Sequence, residues 1–448
     1  LSEKLDRLNE RIYTPSDFEC EGINSSDWQN ITHTLGNLSD FSEICPASDM
    51  QSGMILLAEH YRERSYYHEQ LVMVLPFAVD TDDFYNRLCR CVERHSVLRT
   101  LFISNGMKTT YQAVLRSAEP DFEFKDITNY SRNWEKGNPL TRVMQRYFET
   151  YLKNDRKKGF VPHKNPMFRT RLFKAGEDAY ILMLSFSHVI LDKWSTDNLL
   201  GELLGREEIS TEKDNFSRYI DWLKARDRNE ASEFWKGIMK DAPDTAFPVS
   251  STNTGNPAFS ELRFSVGETT VSRLNEICRS EKVTPSTLMQ TVFGRVVMKI
   301  TDSSDVCFGY TYSGRPDELE HSDKMVGMFI HTLPVRLKKE MTLSEIQKLN
   351  SDIEKYSYIS SSDIQRWSKL RHPAYRYFMT FQNTPDTEDN RGIYEVLNHN
   401  RSVNDFNLFV KLDKTLEVMI EFDSDKFTKE FVREIAECFR KETESFGK

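Results

Sequence analysis

The sequence lacks any apolar run long enough to cross a bilayer. Its longest apolar stretches, residues 71–79 and 179–186, are interrupted by Pro76 and Ser185. Both are far shorter than the roughly 18–20 residues that a membrane-spanning helix needs. The opening of the chain is charged and holds no apolar segment of the kind found in a signal peptide. We therefore expect no membrane partner. Because the sequence does not begin with Met, we also expect a piece cut from something longer.

Paired cysteines are missing as well. The seven cysteines form an odd set without any C-x-x-C spacing, so neither a disulfide framework nor a zinc ribbon is indicated. No Gly-rich phosphate loop, metal-ligand cluster or Ser-His-Asp arrangement stands out in the sequence. We expect reduced thiols, a cytoplasmic location and no bound metal.

Positive charge is in deficit. There are 60 Lys and Arg against 69 Asp and Glu, a formal net charge of −9, so the chain as a whole repels phosphates and nucleic acid is not an expected partner. A local basic groove stays open, although the charged run at 153–158 is expected to be a solvated face. Hydrophobic residues at 38% and aromatics at 12% are typical of a globular protein. A chain of 448 residues allows two or three domains.

The pattern along the chain predicts an α/β protein with two lobes. Strands alternate with helices, which is typical of a mixed sheet covered by helices. Residues 1–40 are polar and rich in turn residues, and we interpret them as a leader or linker with short helices. Residues 242–257 contain three Pro together with Ser, Thr and Gly, and they predict a linker between an N-terminal lobe at 41–241 and a C-terminal lobe at 258–448.

Apolar periodicity predicts the individual elements. The predicted strands are 69–75, 110–115, 168–173, 179–186, 262–266, 305–312 and 418–422. The predicted helices are 50–62, 82–99, 195–204, 216–222, 230–239, 271–280, 285–299 and 429–444. The strand at 179–186 is apolar on both faces, which predicts a central position in its sheet.

The segment that follows this strand carries the candidate chemistry. It reads S-H-V-I-L-D-K-W-S from Ser187 to Ser195 and precedes a predicted helix. The imidazole of His188 can take a proton from an attacking amine or hydroxyl, and the carboxylate of Asp192 can fix the turn by pairing with an Arg. H-x-x-x-D alone is a weak motif, because a structural histidine beside a helix-capping Asp is the more common arrangement.

Four further segments, taken in order, give this motif its context. Residues 44–54 (I-C-P-A-S-D-M-Q-S-G-M), 94–102 (R-H-S-V-L-R-T-L-F), 312–316 (Y-S-G-R-P) and 325–336 (M-V-G-M-F-I-H-T-L-P-V-R) resemble the motifs of condensation domains of nonribosomal peptide synthetases. These domains are part of a superfamily with chloramphenicol acetyltransferase. The leader at 14–18 is similar to the segment that joins a preceding unit to such a domain, so the resemblance covers nearly the whole chain.

The resemblance implies a fold and a reaction. It implies two chloramphenicol-acetyltransferase-like lobes forming a V-shaped pseudo-dimer with a central tunnel, with a floor loop near 314–328 and a latch near 383–400. Phosphopantetheine arms of donor and acceptor peptidyl carrier proteins would enter this tunnel, and the domain itself would bind no cofactor. The amine of the acceptor would attack the donor thioester to form an amide. Neighbouring synthetase domains are the other expected partners.

The resemblance also assigns roles to residues. His188 would be catalytic, acting on the nucleophile or on the tetrahedral intermediate. Asp192 would be structural and paired with Arg99 or Arg315, because an unpaired buried carboxylate is costly. The remaining residues that we place at the tunnel or beside the motif are Ser187, Lys193, Trp194, Ser195, Gly327, Phe329 and His331.

Three positions depart from the pattern of the family. Ser187 stands where the family has a first histidine, Lys193 where it has glycine, and His331 where it has asparagine. Lys193 could narrow the acceptor channel, bring a cation to the nucleophile or swing to solvent. Two alternatives therefore stay open beside linear condensation. One is a variant that cyclises a peptide or uses another nucleophile, and the other is a degenerate, non-catalytic module that recruits enzymes. A free-standing transferase using coenzyme A or a soluble amine would share the same chemistry.

Overall fold

A computed structural model of the chain describes residues 13–18, 20, 23–105, 107–130, 142–249, 258–382, 394–399 and 404–447. The predicted α/β class is confirmed. The helices are α1 (Ser25–Leu35), α2 (Asp49–His60), α3 (Thr81–Arg94), α4 (Arg142–Lys158), α5 (Lys193–Leu203), α6 (Ser217–Lys224), α7 (Arg228–Ile238), α8 (Glu268–Glu281), α9 (Pro285–Thr301), α10 (Leu343–Lys355), α11 (Ser361–Trp367) and α12 (Lys429–Ser445). Within these ranges, no helix is both long and apolar enough to span a membrane.

In the part of the chain that the structure describes, the strands belong to three sheets. They are β1 (Phe41–Pro46), β2 (His68–Leu75), β3 (Thr100–Ile103), β4 (Tyr111–Leu115), β5 (Asp121–Asp126), β6 (Phe168–Gly176), β7 (Ala179–Ser187), β8 (Phe259–Val266), β9 (Asp305–Tyr312), β10 (His331–Lys338), β11 (Phe378–Gln382), β12 (Tyr394–His399), β13 (Phe406–Leu412) and β14 (Leu416–Asp423). Their orders are β1-β4-β3, β12-β2-β7-β6-β5 and β10-β9-β11-β13-β14-β8.

The chain divides into two compact units, and each draws on several stretches of sequence. Unit 1 comprises Leu1–Lys224, Asp317–Met328 and Glu388–Arg401, and unit 2 comprises Ala225–Pro316, Phe329–Thr387 and Ser402–Lys448. The first stretch of unit 1 thus ends at Lys224, before the predicted lobe boundary at 241. Helix α7 is the reason, because Trp235 is fully buried in the core of unit 2 and donates its indole N–H to the carbonyl of Tyr356 at 3.2 Å.

Several predicted boundaries can be compared with these units. Residues 250–257 of the predicted linker lie outside the described residues. The stretches at 317–328 and 388–401 of unit 1 overlap the predicted floor loop and latch, and of the latch only β12 is described. It pairs antiparallel with β2. In the predicted leader, α1 and a short 3-10 helix at Pro15–Phe18 pack through Phe18 and Ile31 onto the core beside β1, β3 and β4, so this segment is more than a linker.

Strand β7 lies third of five in its sheet, as its apolar sequence predicts. All of its residues are buried. Helix α4 covers one face of the strand through Phe148 and Leu152, which pack with Val72 of β2 and Met183 of β7. The register places His68 of β2 opposite Ser187 at the end of β7. The candidate motif therefore begins at the end of a fully buried strand.

A buried polar cluster closes the same face of this sheet. Asp155 of α4 accepts a hydrogen bond from Ser185 at 2.6 Å, lies 3.2 Å from the guanidinium of Arg169 and lies 3.3 Å from the imidazole of His68. Burial would raise the pKa of Asp155, but these donors outweigh it and hold that pKa well below its usual range. The expectation that 153–158 is a solvated face is therefore wrong for Asp155, whose position next to Arg169 no local pattern reveals.

Unit 2 is built on a six-stranded mixed sheet. Strand β11 runs parallel to both β9 and β13, while the pairs β10–β9, β13–β14 and β14–β8 are antiparallel. Its core is rich in aromatic rings, with Phe247 stacked on Tyr377 at 4.0 Å between centroids and Phe293 edge-on to Phe308 at 5.0 Å. This packing holds the ends of β9 and β10, where the S-G-R-P and M-V-G-M-F-I-H segments begin and end.

Candidate active site

The candidate motif lies in a short turn between β7 and α5. Val189, Ile190 and Leu191 are fully buried and anchor the turn by their apolar side chains. The backbone N–H of Ile190 donates to the carbonyl of Ser187 at 3.0 Å, and that of His188 donates to the carbonyl of Tyr67 at 2.8 Å. His188 as a whole residue keeps part of its surface exposed, whereas the three residues that follow it are sealed in the core of unit 1.

One ring nitrogen of His188 is committed to the backbone. Its Nδ1 lies 2.8 Å from the carbonyl oxygen of Leu191. A carbonyl can only accept, so Nδ1 carries the proton and Nε2 of the neutral ring keeps its lone pair. Burial lowers the pKa of His188 below its ordinary value of 6.5. The neutral form, with a proton-accepting Nε2, therefore prevails at neutral pH.

Asp192 caps the helix that follows the motif. One carboxylate oxygen accepts from the backbone N–H of Ser195 at 2.7 Å, and the Asp192 carbonyl accepts from the Thr196 hydroxyl at 2.8 Å. Side-chain acceptors of this kind satisfy the free N–H groups of a first helical turn. The carboxylate thus fixes the start of α5 and, with it, the end of the His188 turn.

Gly327 docks on the same helix terminus within unit 1. Its carbonyl accepts from the backbone N–H of Asp192 at 3.2 Å and from the hydroxyl of Ser195 at 2.7 Å, and its own N–H donates to that hydroxyl at 3.0 Å. The structure therefore brings together His188, Asp192, Ser195 and Gly327, which the sequence places in two motifs far apart in the chain.

Gln51 supports the turn from helix α2. It is fully buried, donates to the carbonyl of Val189 at 3.1 Å, and forms a capping box with Ser48 at the start of α2. Gln51 lies in the motif at 44–54, and the sequence alone predicts no role for it. Its distance in sequence from Val189 leaves no local signal for this contact.

Lys193 and Trp194 lie on the outer side of the first turn of α5. Lys193 forms an i, i+4 ion pair with Asp197, and its side chain is 56% exposed. Trp194 is 44% exposed and donates its indole N–H to the carbonyl of Asp323 at 2.9 Å. Of the three alternatives for Lys193, these contacts favour the one in which it swings to solvent.

Arg99 is placed differently from one of its two predicted roles. Its guanidinium donates to the backbone carbonyls of Val92 at 2.8 Å and Glu93 at 3.1 Å, and also to that of Leu115. Among the described residues, these bonds join the end of α3 to β4, and Arg99 forms no ion pair with Asp192. Pairing of Asp192 with Arg315 stays a prediction.

The other predicted residues form a second group in unit 2. Gly314 has a φ of +65°, and a Cβ there would lie 1.8 Å from the carbonyl oxygen of Phe329, so only glycine fits. The guanidinium of Arg315 lies 4.1 Å from the centroid of the Phe329 ring. His331 is buried, and this burial lowers its pKa to about 4, so its ring is neutral at pH 7.

Two further observations bear on metals and thiols. In the described part of the chain, no group of three or more His, Cys, Asp or Glu side chains is arranged to hold a metal ion. All seven cysteines are free, and burial raises the pKa of Cys45 and Cys307 to about 12. These two thiols are therefore poor nucleophiles at neutral pH.

Comparison with known proteins finds a family whose model matches most of this chain. A family model described as "Condensation domain" matches residues 42–446. One plipastatin synthase protein of Bacillus subtilis (strain 168) is 27% identical over 427 residues, which cover 89% of this chain and 12% of that protein. One linear gramicidin synthase protein of Brevibacillus parabrevis is 29% identical over 400 residues, covering 84% of this chain and 5% of that protein.

A solved structure agrees at the level of the fold. The condensation domain from the monacolin K polyketide synthase MokA superposes with a TM-score of 0.74 at 14% identity, covering 90% of this chain and 97% of that one. The chain spans only a small part of the two synthase proteins, so what those whole proteins make is a property of the larger assemblies.

Proposed function

Because the chain belongs to the condensation-domain family, we propose that it joins a carrier-bound donor acyl or peptidyl thioester to an acceptor amine, with His188 acting on the nucleophile. The predicted family and the predicted α/β fold are confirmed. The V-shaped arrangement and its tunnel stay predictions. We also propose that the partners are donor and acceptor peptidyl carrier proteins, that their phosphopantetheine arms carry the substrates, and that the domain works in the cytoplasm among neighbouring synthetase domains.

The observation that carries this proposal is the tautomer of His188. Its Nδ1–H is held by the Leu191 carbonyl at 2.8 Å, which leaves Nε2 as the proton acceptor on a ring whose pKa is lowered by burial. Neutral imidazole with one fixed nitrogen is suited to general-base work near pH 7.

The reaction balances with this single base. The amine nitrogen attacks the thioester carbonyl carbon, a C–N bond forms, and Nε2 of His188 takes a proton from the attacking nitrogen. The tetrahedral intermediate then collapses, the C–S bond breaks, and the leaving thiolate takes the proton back from His188. No proton, oxidant or nucleotide is consumed overall. Asp192, Ser195 and Gly327 take no part in proton transfer and hold the turn in place.

The test compares His188→Ala with the parent on donor- and acceptor-loaded carrier proteins, followed by intact-protein mass spectrometry. We expect amide formation to slow by about 10²- to 10⁴-fold, the usual contribution of a general base, with donor-carrier affinity unchanged. His33→Ala, at an exposed position on α1, is the matched control and should retain the parent rate. Full activity of His188→Ala would contradict the proposal.

Two alternatives give different products in the same assay. Ser187 and Lys193 depart from the family pattern, and they keep cyclisation and recruitment open. A donor that closes on its own amine would lose its carrier without mass appearing on an acceptor. A parent that makes no amide with any of several acceptors, yet binds another enzyme of its pathway, would be a recruitment module.

A further inference from the structure

A buried histidine away from the catalytic turn forms the centre of a charged network in unit 1. His95 is fully buried and lies just after α3. Its Nδ1 lies 2.9 Å from a carboxylate oxygen of Asp214, and its Nε2 lies 2.8 Å from a carboxylate oxygen of Glu202 in α5. Glu202 also pairs with Arg94 and accepts a weak bond from the thiol of Cys91 at 3.6 Å.

The partners of His95 define its charge. Ionised carboxylates only accept hydrogen bonds, so both ring nitrogens carry protons and the ring is an imidazolium. Burial alone would lower the pKa of His95, but the bonds to Asp214 and Glu202 outweigh it and raise that pKa above its ordinary value. For Glu202, burial would raise the pKa, but His95 and Arg94 lower it instead. Without the imidazolium of His95, the buried carboxylates of Asp214 and Glu202 would lose the cation that lies between them.

Asp214 connects the His95 network to the segment that contains Gly327. The same carboxylate oxygen that His95 holds also accepts from the backbone N–H of Val326 at 2.7 Å. The next residue, Gly327, accepts from the backbone N–H of Asp192 at 3.2 Å and exchanges hydrogen bonds with Ser195. A continuous series of short contacts therefore runs from His95 to the start of α5.

We propose that His95 is a positioning residue for amide formation: clamped between Asp214 and Glu202, it holds Asp214 on the Val326 N–H and so fixes the Gly327 carbonyl that secures the end of the His188 turn. This inference rests on the proposed function of His188. Misplacing a reacting group by about 1 Å can cost about 10²-fold in rate, so a residue that touches no substrate can still limit turnover.

The main chain at Asp214 is held by hydrogen bonds of its own. The N–H of Asp214 donates to the Arg94 carbonyl at 2.9 Å, and its carbonyl accepts from the N–H of Ser96 at 3.0 Å. These bonds do not depend on the side chains of His95 or Asp214. Substitutions at the two positions therefore change the side-chain contacts while the main chain stays tied.

Hydrogen exchange tests the positioning directly and without substrate. The measurement is deuterium uptake of the peptides that contain Val326 and Gly327, or Asp192 and Ser195. We expect Asp214→Ala and His95→Gln to exchange these amides at least about tenfold faster than the parent. Asp214→Asn should exchange near the parent rate, because the amide oxygen still accepts from the Val326 N–H. Asp214→Ala and Asp214→Asn both remove the carboxylate charge. They differ in whether residue 214 keeps a side-chain oxygen that accepts from the Val326 N–H.

Turnover with loaded carriers provides the second readout. We expect His95→Gln and Asp214→Ala to lower kcat about 10- to 100-fold with KM changed less than about twofold, and Asp214→Asn to recover most of the rate. Asn407→Ala is the matched control in unit 2. It removes the amide that donates to the buried carboxylate of Glu421 at 2.7 Å, so it leaves a buried carboxylate without that donor but should change neither the exchange near Val326 nor kcat.

The outcomes separate this inference from the proposed function. Unchanged exchange at Val326 and Gly327 in Asp214→Ala, or equal losses in the Ala and Asn variants, would overturn the positioning role even if the parent is active. A parent that forms no amide would sink the proposed function, while the exchange experiment would still decide whether His95 orders the Gly327 segment.

Discussion

The hydrogen bond from Nδ1 of His188 to the Leu191 carbonyl decides which ring nitrogen is available for chemistry. It commits Nδ1 and leaves Nε2 outside this backbone bond, in a residue that keeps part of its surface exposed. A histidine in H-x-x-x-D could equally have used both nitrogens in structural bonds. Three consecutive buried apolar residues after His188 anchor the turn in which this bond forms.

This geometry predicts the pH dependence of amide formation. Because burial lowers the pKa of His188 below 6.5, the neutral base is lost only as the pH falls through that lower value. We expect kcat/KM to fall first as the acceptor α-amine protonates, at about 7.7–8.0, and then more steeply at a second apparent pKa below 6.5, which belongs to His188. A pH series on carriers loaded with acceptors of different amine pKa separates the two, and a second ionisation above 6.5 that stays fixed across these acceptors would contradict the proposed base.

Gly314 gives a second prediction at the residue scale. Its positive φ and the 1.8 Å approach of a Cβ to the Phe329 carbonyl mean that Gly314→Ala should lower the free energy of unfolding by at least about 2 kcal/mol. Chemical denaturation measures the change. In Gly237→Ala, the control in α7, a Cβ meets no atom within 4 Å, so stability should rise or stay within about 1 kcal/mol of the parent. Equal stability of the two variants would rule out the steric explanation.

Among the elements, helix α3 shows where periodicity fails. Its apolar residues recur at helical spacing through Val92 and His95, and the sequence predicts one helix over 82–99. In the structure, α3 ends at Arg94, because His95 takes a φ of −90° and a ψ of 106° and forms a bridge with Asp214. A buried charge network decides this helix end, and single-sequence spacing carries no trace of Asp214.

The same network predicts how stability depends on pH. The folded-state pKa of His95 is raised above 6.5, so the stability that it contributes is fully present below pH 6.5 and is lost as the pH rises through the raised value. The facing groups are Arg94 and Cys91 of α3, Glu202 of α5, and Asp214. We expect the free energy of unfolding of the parent to decline on the alkaline side of this window, and that of His95→Gln to lack the decline. Denaturant titrations across pH measure both, and parallel curves would refute the imidazolium.

The sequence predicts some of the other strands and helices well and others not at all. The sequence predicts strands β2, β6, β7 and β9 to within a few residues, because segments rich in apolar, β-branched and aromatic residues have high strand propensity. Helix α4 was missed, since its apolar residues are diluted by charges, and one of those charges, Asp155, is buried. The pairing of β12 with β2 joins residues more than 300 positions apart, and nothing local encodes it.

For the whole molecule, the resemblance in the motifs identifies the family and predicts a set of site residues, but it does not predict how those residues are grouped. His188, Asp192, Ser195 and Gly327 lie in unit 1, whereas Gly314, Arg315, Phe329 and His331 lie in unit 2. The boundary falls inside the motif at 325–336, between Met328 and Phe329. A linear motif indicates that its residues are needed together. It does not indicate that some of them belong to the core of unit 1 and others to the core of unit 2.

The composition of unit 1 has a consequence for the order of events during synthesis. Its five-stranded sheet takes its edge strand β12 from Tyr394–His399, so a ribosome must translate more than 300 residues beyond β2 before that strand gains its second neighbour. Until then, the nascent first half presents an unpaired strand edge, the kind of surface that invites pairing with another chain. Unit 1 begins first and is completed late, which ties completion of the sheet that leads into the His188 turn to translation through residue 399.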